Sequence, residues 1–285
     1  MTELRPLERT DMWQAQIARL KDGRLHLHHG PIDIILQAWG RADAVAEAED
    51  CAIRRFSSIL AELSAELPSL RSENKIVFGP VARAMASAVA PFRPDFITPM
   101  AAVAGAVADW VLGDFRRDGI DRAYVNNGGD IALHLSSGHT FRCAIAGQTG
   151  ASGNVTIVAD SPVRGVATSG WAGRSWSLGI ADSVTVLAKS AAEADAAATM
   201  IANAVDLPEC LAIERRPACD MQIDSDLGQR LVTVAVPTLS FKEKALALDR
   251  GLRAAETYLK LGLIEGAALF LQGESRITQG LALVH

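Results

Sequence analysis

Arg122-Ala123-Tyr124-Val125-Asn126, Asn127-Gly128-Gly129-Asp130, Ile131-Ala132-Leu133-His134-Leu135: this run decides the fold. It reads as two strands joined by a tight turn whose glycines supply positive φ, the signature of an antiparallel hairpin. Working outward, Thr140 to Ala146, Asn154 to Ala159, Gly165 to Thr168 and Ser183 to Ala188 read as further strands. Helices bracket them. On the near side Thr98-Pro99 is a helix start, a hydroxyl followed by proline at the first helical position, and the helix runs from Pro99 to Asp118 before Gly119. On the far side Ser190 opens a helix to Val205, with Glu193 three residues on completing a capping box.

The remaining chain repeats these elements. Trp13 to Leu20, Arg24 to His28 and Ile32 to Trp39 form a meander around Lys21-Asp22-Gly23. An amphipathic helix follows from Asp43 to Leu67, and Gly79-Pro80 opens an alanine-rich helix that ends near Pro91. The last third reads as strand Leu231 to Val236, helix Phe241 to Leu263, and strands Ala267 to Leu271 and Ile277 to Val284. Strands and helices come in blocks rather than as strict βαβ units. The expectation is therefore an α+β fold of mixed or antiparallel sheets with flanking helices, residues 1–285 forming one domain with room for two lobes.

Composition excludes several classes. Of 285 residues 49% are hydrophobic and 21% charged, the balance of a globular chain with a sizeable core. The net charge of −5 offers no basic footprint for nucleic acid. No apolar signal core or run of ~18 apolar residues suggests a membrane partner. Cys51, Cys143, Cys210 and Cys219 lack metal-ligand spacing and read as reduced thiols, which places the protein in the cytoplasm. Abundant alanine with only 5% aromatics points to helices packed closely over small side chains.

Three short stretches put bare backbone beside oxygen-bearing side chains. In Ala194-Asp195-Ala196-Ala197-Ala198-Thr199, Asp195 and Thr199 stand one helical turn apart on one face, a spacing that can share a hard cation such as Mg²⁺. Equally, Asp195 could favour its own helix dipole while Thr199 bonds back to a carbonyl. Asn203 continues the same stripe. The Gly128-Gly129 turn exposes amides, with Asp130 ordering the loop or a bound group. Gly165 to Gly179 mixes glycine, hydroxyls, Arg174, Trp171 and Trp176, which suits a phosphate and a flat ring, or else a surface hairpin docked by its indoles. His26, His28 and His29 read as an exposed strand end. Cys210 and Cys219 are either packed thiols or a sulfur-handling pair.

Taken in order, Met100 to Asp109, Gly128 to Asp130, Thr168 to Gly170 and Ala194 to Thr199 resemble the ApbE-like superfamily, whose best-known members are FAD:protein FMN transferases. The resemblance covers residues 30 to 210. It implies an ApbE-like fold and a small-molecule nucleotide ligand, FAD or FMN, with Mg²⁺. It assigns the metal to Asp195 and Thr199. The flavin nucleotide falls to Gly105, Asn127, Gly128, Gly129, Thr168, Ser169 and Gly170, and catalytic positioning to Asp130 and Arg174. Two departures stand out. Transferases carry Lys-Gly where this chain has Ala104-Gly105, and a His-Ile-Ile-Asp-Pro-like stretch where it has Trp171 to Ile180 without histidine. Phosphoryl transfer relies on groups that position and neutralise the pyrophosphate. Three readings therefore follow: a Mg²⁺-assisted flavin-nucleotide enzyme of transferase type, a non-catalytic nucleotide-binding module, and a sulfur-handling protein of sulfur amino-acid metabolism. The reading allows a homo-oligomer. A solvated Asp195 would contribute little to stability.

Overall fold

The computed structural model describes residues 14–145, 153–173 and 175–281. Three strands open it, β1 (Gln16–Arg19), β2 (Leu25–His29) and β3 (Ile32–Gly40), followed by helices α1 (Ala42–Ala65), the single turn α2 (Leu67–Leu70), α3 (Pro80–Val89) and α4 (Val103–Leu112). Six strands follow: β4 (Ile120–Asn127), β5 (Asp130–Leu135), β6 (Thr140–Ile145), β7 (Gly153–Val158), β8 (Gly165–Ser169) and β9 (Ser183–Ala188). Then come α5 (Ala191–Ala204), β10 (Glu214–Pro217), α6 (Ala218–Met221), β11 (Leu231–Ala235), α7 (Phe241–Lys260), β12 (Gly266–Leu271) and β13 (Glu274–Ile277).

Nine strands make one sheet in the order β1-β2-β3-β4-β5-β8-β9-β12-β13; β6-β7 and β10-β11 are separate hairpins. Every pairing is antiparallel, so the sheet is not mixed. Residues alternate between its faces as the period of two requires. Ala132, Ala167, Val186, Ala267 and Leu269 belong to the core shared with the helices. Leu133, Val166, Leu187 and Ala268 face the other way and pack with Cys143, Ile145, Val155 and Ile157 of the β6-β7 hairpin. Covered on both faces, β9 is buried at every position, which explains why Ser183 to Ala188 reads as a short apolar run.

Helix α5 lies at the centre of the helical layer, against β8, β9, α4, α3 and α7. Its alanines permit this, because a helix touched on nearly every side has no room for long side chains. Glycines on its neighbours close the gaps. A Cβ at Gly105 of α4 would lie 2.2 Å from the Ala191 carbonyl, one at Gly165 2.1 Å from Ser190, and one at Gly179 2.1 Å from the Ala202 carbonyl.

Several expected boundaries move. The helix from Pro99 to Asp118 is divided into a 3-10 turn (Pro99–Ala102), α4, and another 3-10 turn (Gly113–Phe115). Thr98 does not cap it; its hydroxyl donates to Asp226. Ser190 accepts the Glu193 amide at 3.2 Å, but its hydroxyl, not its amide, meets the Glu193 carboxylate. A full capping box instead opens α7, at Ser240 and Glu243. The final strand is Glu274–Ile277 because Gln272 and Gly273 both take positive φ and turn the chain there; residues 282–284 of the expected strand lie outside the described residues. Strand β10, four residues ending in Pro217, carries too weak a pattern to read. His29 is buried beside Phe56, so the exposed end expected here does not extend to it, while His26 and His28 stay partly exposed and flank Asp33.

Candidate functional site

The Asn126-to-Asp130 turn, the start of α4 and the second turn of α5 meet at one place. Gly128 and Gly129 have φ of 67° and 118°, so the two-residue hairpin expected of them forms, with Asn127 paired to Asp130. The Gly129 amide is not left open to a ligand; it donates to the Asn126 side chain at 2.8 Å. Asn127 is buried and spans two elements. Its Oδ1 accepts the Asp33 amide at 3.3 Å, and its Nδ2 donates to the Ala104 carbonyl at 3.1 Å, tying β3 and β4 to α4.

Asp195 reaches the start of that same helix. Its Oδ2 accepts the Gly105 amide at 3.0 Å, and the Ala104 amide also stabilises its charge. These are first-turn amides of α4, which have no partner inside their own helix. Asp195 thus caps a neighbouring helix rather than acting on its own dipole. Its side chain is set deep in the protein while the residue keeps some surface open.

Asp130 faces Asp195. It is buried, and its Oδ1 accepts the Thr168 amide at 3.2 Å. Burial pushes the Asp130 carboxyl up to about 7 against that single bond. Burial and then the Asp130 charge push Asp195 well above the ordinary carboxylate range, against the α4 amides. Two carboxylates this close cannot both ionise cheaply, so the pair calls for a shared proton or a cation. Thr199, one turn beyond Asp195 and half-buried, makes no hydrogen bond through its hydroxyl to another described residue. The back-bond that would have made it purely structural does not form.

Thr168 is exposed, and its hydroxyl meets that of the buried Thr185 at 2.9 Å. Ser169 is half-buried at the end of β8. Gly170 is bare because the backbone of Asp182 passes there, 2.3 Å from where a Cβ would stand. Trp171 is fixed by a 3.4 Å bond from its indole to Asp182, whose other oxygen holds the Gln272 amide. Arg174 lies outside the described residues. Asn203 does not continue the Asp195-Thr199 stripe into the site; it accepts from Ser177 and the Leu178 amide.

Asp109 escaped the sequence reading. Its Oδ2 accepts the Ala192 amide at 2.9 Å, capping α5 as Asp195 caps α4. Burial lifts it to about 6, opposed by the Ala192 and Ala191 amides. The available signal was its position four residues after Gly105, on the face that meets α5. Cys210 and Cys219 are half-buried free thiols, Cys219 accepting from Gln229 at 3.1 Å.

Among the described residues no three His, Cys, Asp or Glu side chains form a group suited to a metal. The donor set here is two carboxylates and a hydroxyl. No helix among the described residues is long and apolar enough to cross a membrane.

This is an antiparallel α+β protein with a buried acidic centre where a Gly-Gly hairpin meets two mutually capped helices. The chain belongs to the family described as AbpE bacteria, whose model matches residues 17–277. It is similar to the UPF0280 protein of Methanothermobacter thermautotrophicus, 37% identical over 159 residues, covering 55% of this chain and 58% of that one. The UPF0280 protein of Methanococcus vannielii is 44% identical over 120 residues, 40% of this chain and 48% of its own length. The chain spans about half the length of these curated relatives. Among solved structures, a point mutant of the flavin transferase ApbE from Vibrio cholerae aligns with a TM-score of 0.48 and 16% identity over 93% of this chain and 97% of its own. The apo flavinyl transferase ApbE from Pseudomonas stutzeri aligns at 0.42 and 14% over 96% of both.

Proposed function

We propose that this protein is a Mg²⁺-assisted enzyme acting on a flavin nucleotide or a related pyrophosphate. The observation that carries the reading is the Asp130–Asp195 pair beside the Thr199 hydroxyl, which bonds to no described residue. Hard oxygen donors of this kind suit Mg²⁺ rather than a thiophilic metal, and a cation removes the repulsion that burial creates. Asp195 and Thr199 would hold the ion, with Asp130 adjacent. When bound, Mg²⁺ supplies charge neutralisation on pyrophosphate oxygens.

The chain's own residues provide the frame. The first turn of α4 gives its amides to Asp195, so that carboxylate is oriented by the chain itself. Asn127 locks the same turn from its carbonyl side, and Thr168 places Asp130. Ser169, on the helix-facing side of β8, would offer a hydroxyl and Trp171 an indole to a nucleotide, whereas the Thr168 hydroxyl meets that of Thr185 on the opposite face of the sheet.

A second reading, a nucleotide-binding module without chemistry, is favoured by Ala104, which sets a methyl group where the transferases carry lysine, and by the absence of histidine from Trp171 to Ile180. One experiment separates them. The protein is incubated with FAD and Mg²⁺, with binding followed by calorimetry and products by chromatography. FMN release that depends on Mg²⁺ and is lost in Asp195→Asn supports the enzyme. Tight Mg²⁺-dependent binding without product supports the module. No binding of FAD or FMN in Mg²⁺ rejects both.

A further inference from the structure

At the other end of β4 and β5, ~23 Å from the Gly-Gly turn by strand length, lies a cavity of about 550 Å³. Its walls come from the chain entering β4 (residues 116–121), the end of β5 (Leu133, His134, Ser136) and Arg164 just before β8. In a chain of net charge −5 this cavity gathers three arginines and a histidine. We propose that it binds a small metabolite bearing phosphate or carboxylate groups, with Arg116 and Arg164 as its charged contacts.

The arginines are not equivalent. Arg164 is fixed: Nη1 donates to the Ser161 and Val163 carbonyls and Nη2 to Ala159, at 2.6–2.7 Å. All three acceptors are neutral carbonyls, so the guanidinium is immobilised with its charge uncompensated, and two of its five N–H donors remain. Arg117 is committed to Glu47 at 2.9 Å and to the Asp114 carbonyl, and contributes only to the field. Arg116 is half exposed, and the carboxylate facing it, Asp109, stands 4.0 Å away, too far for a hydrogen bond. It is the mobile arm.

His134 records the potential of the cavity. Its pKa is lowered mainly by burial, opposed by its bond to the Ile120 carbonyl, and lowered further by the Arg116 and Arg164 charges, which therefore both reach it. The cavity also holds Asp118 and Asp121, both exposed, but the charges that act on His134 are those of Arg116 and Arg164. The volume is that of a small-molecule site, and a planar guanidinium is the group that recognises a planar or tetrahedral oxyanion through paired bonds.

The test is a titration of the full chain with inorganic phosphate and, separately, with citrate, at ionic strength held constant with chloride. Thermal melting and the NMR titration of the His134 ring are the two readouts. Binding at this cavity raises both the melting temperature and the His134 pKa, since a bound anion offsets the two guanidinium charges. A response to phosphate assigns the phosphate class, and one to citrate the carboxylate class. Arg116→Ala, whose half-exposed guanidinium hydrogen-bonds to no described residue, should weaken the response about tenfold, the loss expected for a charged pair. Arg83→Ala, on an exposed face of α3, should leave it unchanged. Arg164→Gln should also weaken it, but carries the added risk of loosening the turn before β8, so Arg116→Ala decides. If neither anion moves His134, or if Arg116→Ala responds like the parent, the proposal is wrong.

Discussion

Asp195 and Gly105 are joined across two helices, the carboxylate of one accepting a first-turn amide of the other at 3.0 Å. The arrangement is reciprocal, because Asp109 of α4 accepts the Ala192 amide at the start of α5. Each helix ends its neighbour's unpaired donors, and the glycine at position 105 lets the two backbones come close enough to do so. The acidic centre is therefore built on a clasp made by the chain's own groups.

The clasp fails if Gly105 gains a methyl group. Gly105→Ala would place its Cβ 2.2 Å from a backbone oxygen, where no rotamer offers relief. The expected loss is at or beyond the upper end of the ~1–3 kcal/mol typical of overpacking, at about 2–4 °C per kcal/mol. Thermal melting measures it. An unchanged melting temperature would mean that α4 and α5 are further apart than described.

Charge removal in the pair should act in two directions. Asp195→Asn keeps an acceptor for the Gly105 amide while ending the repulsion with Asp130, so the metal-free protein should melt higher than the parent at pH 8. The same variant should lose the rise in melting temperature that Mg²⁺ gives the parent. This replaces the expectation of a solvated ligand indifferent to stability, since the side chain lies deep and caps α4. A variant that melts lower and still responds to Mg²⁺ would show Asp195 to be a cap and nothing more.

The pH profile follows from the raised carboxyls. A carboxyl with a folded pKa above its unfolded value binds more protons in the native state. Its stabilisation is complete below the unfolded value near 3.8 and is lost as pH rises through the folded one. With Asp109 at about 6 and Asp130 at about 7, the metal-free protein should lose stability steadily between about pH 4 and pH 7. Mg²⁺ should restore it most at the alkaline end of that range, where Asp130 has lost its proton. Denaturant melts across that range are the check, and a profile rising from pH 5 to 8 without Mg²⁺ would contradict the burial of these groups.

Thr199→Val isolates the hydroxyl. The side chain is half-buried and its oxygen bonds to no described residue, so the isosteric change should alter stability by less than ~1 kcal/mol. Nucleotide affinity in Mg²⁺ should fall about tenfold if the oxygen is a ligand, and not at all if it is not. Calorimetry with FAD at fixed Mg²⁺ distinguishes the two.

Much of this protein could be read along the chain. The Gly-Gly hairpin, the alternating strands around it and the alanine-rich helix are local matters, fixed by positive φ, by the period of two and by side-chain size. Gly128 to Asp130, Thr168 to Gly170, Asp195 and Thr199 stand out for the same reason, as bare backbone beside oxygen donors, and Gly105 through the resemblance. What the chain alone could not say is how those stretches face one another. That Asp130 opposes Asp195, that Asp195 caps α4, that Asp109 returns the cap, and that Arg116 shares a cavity with Arg164 all depend on contacts between residues far apart in sequence. Several of the glycines serve those contacts rather than a ligand, because only the packed helices and strands reveal which backbone must pass which.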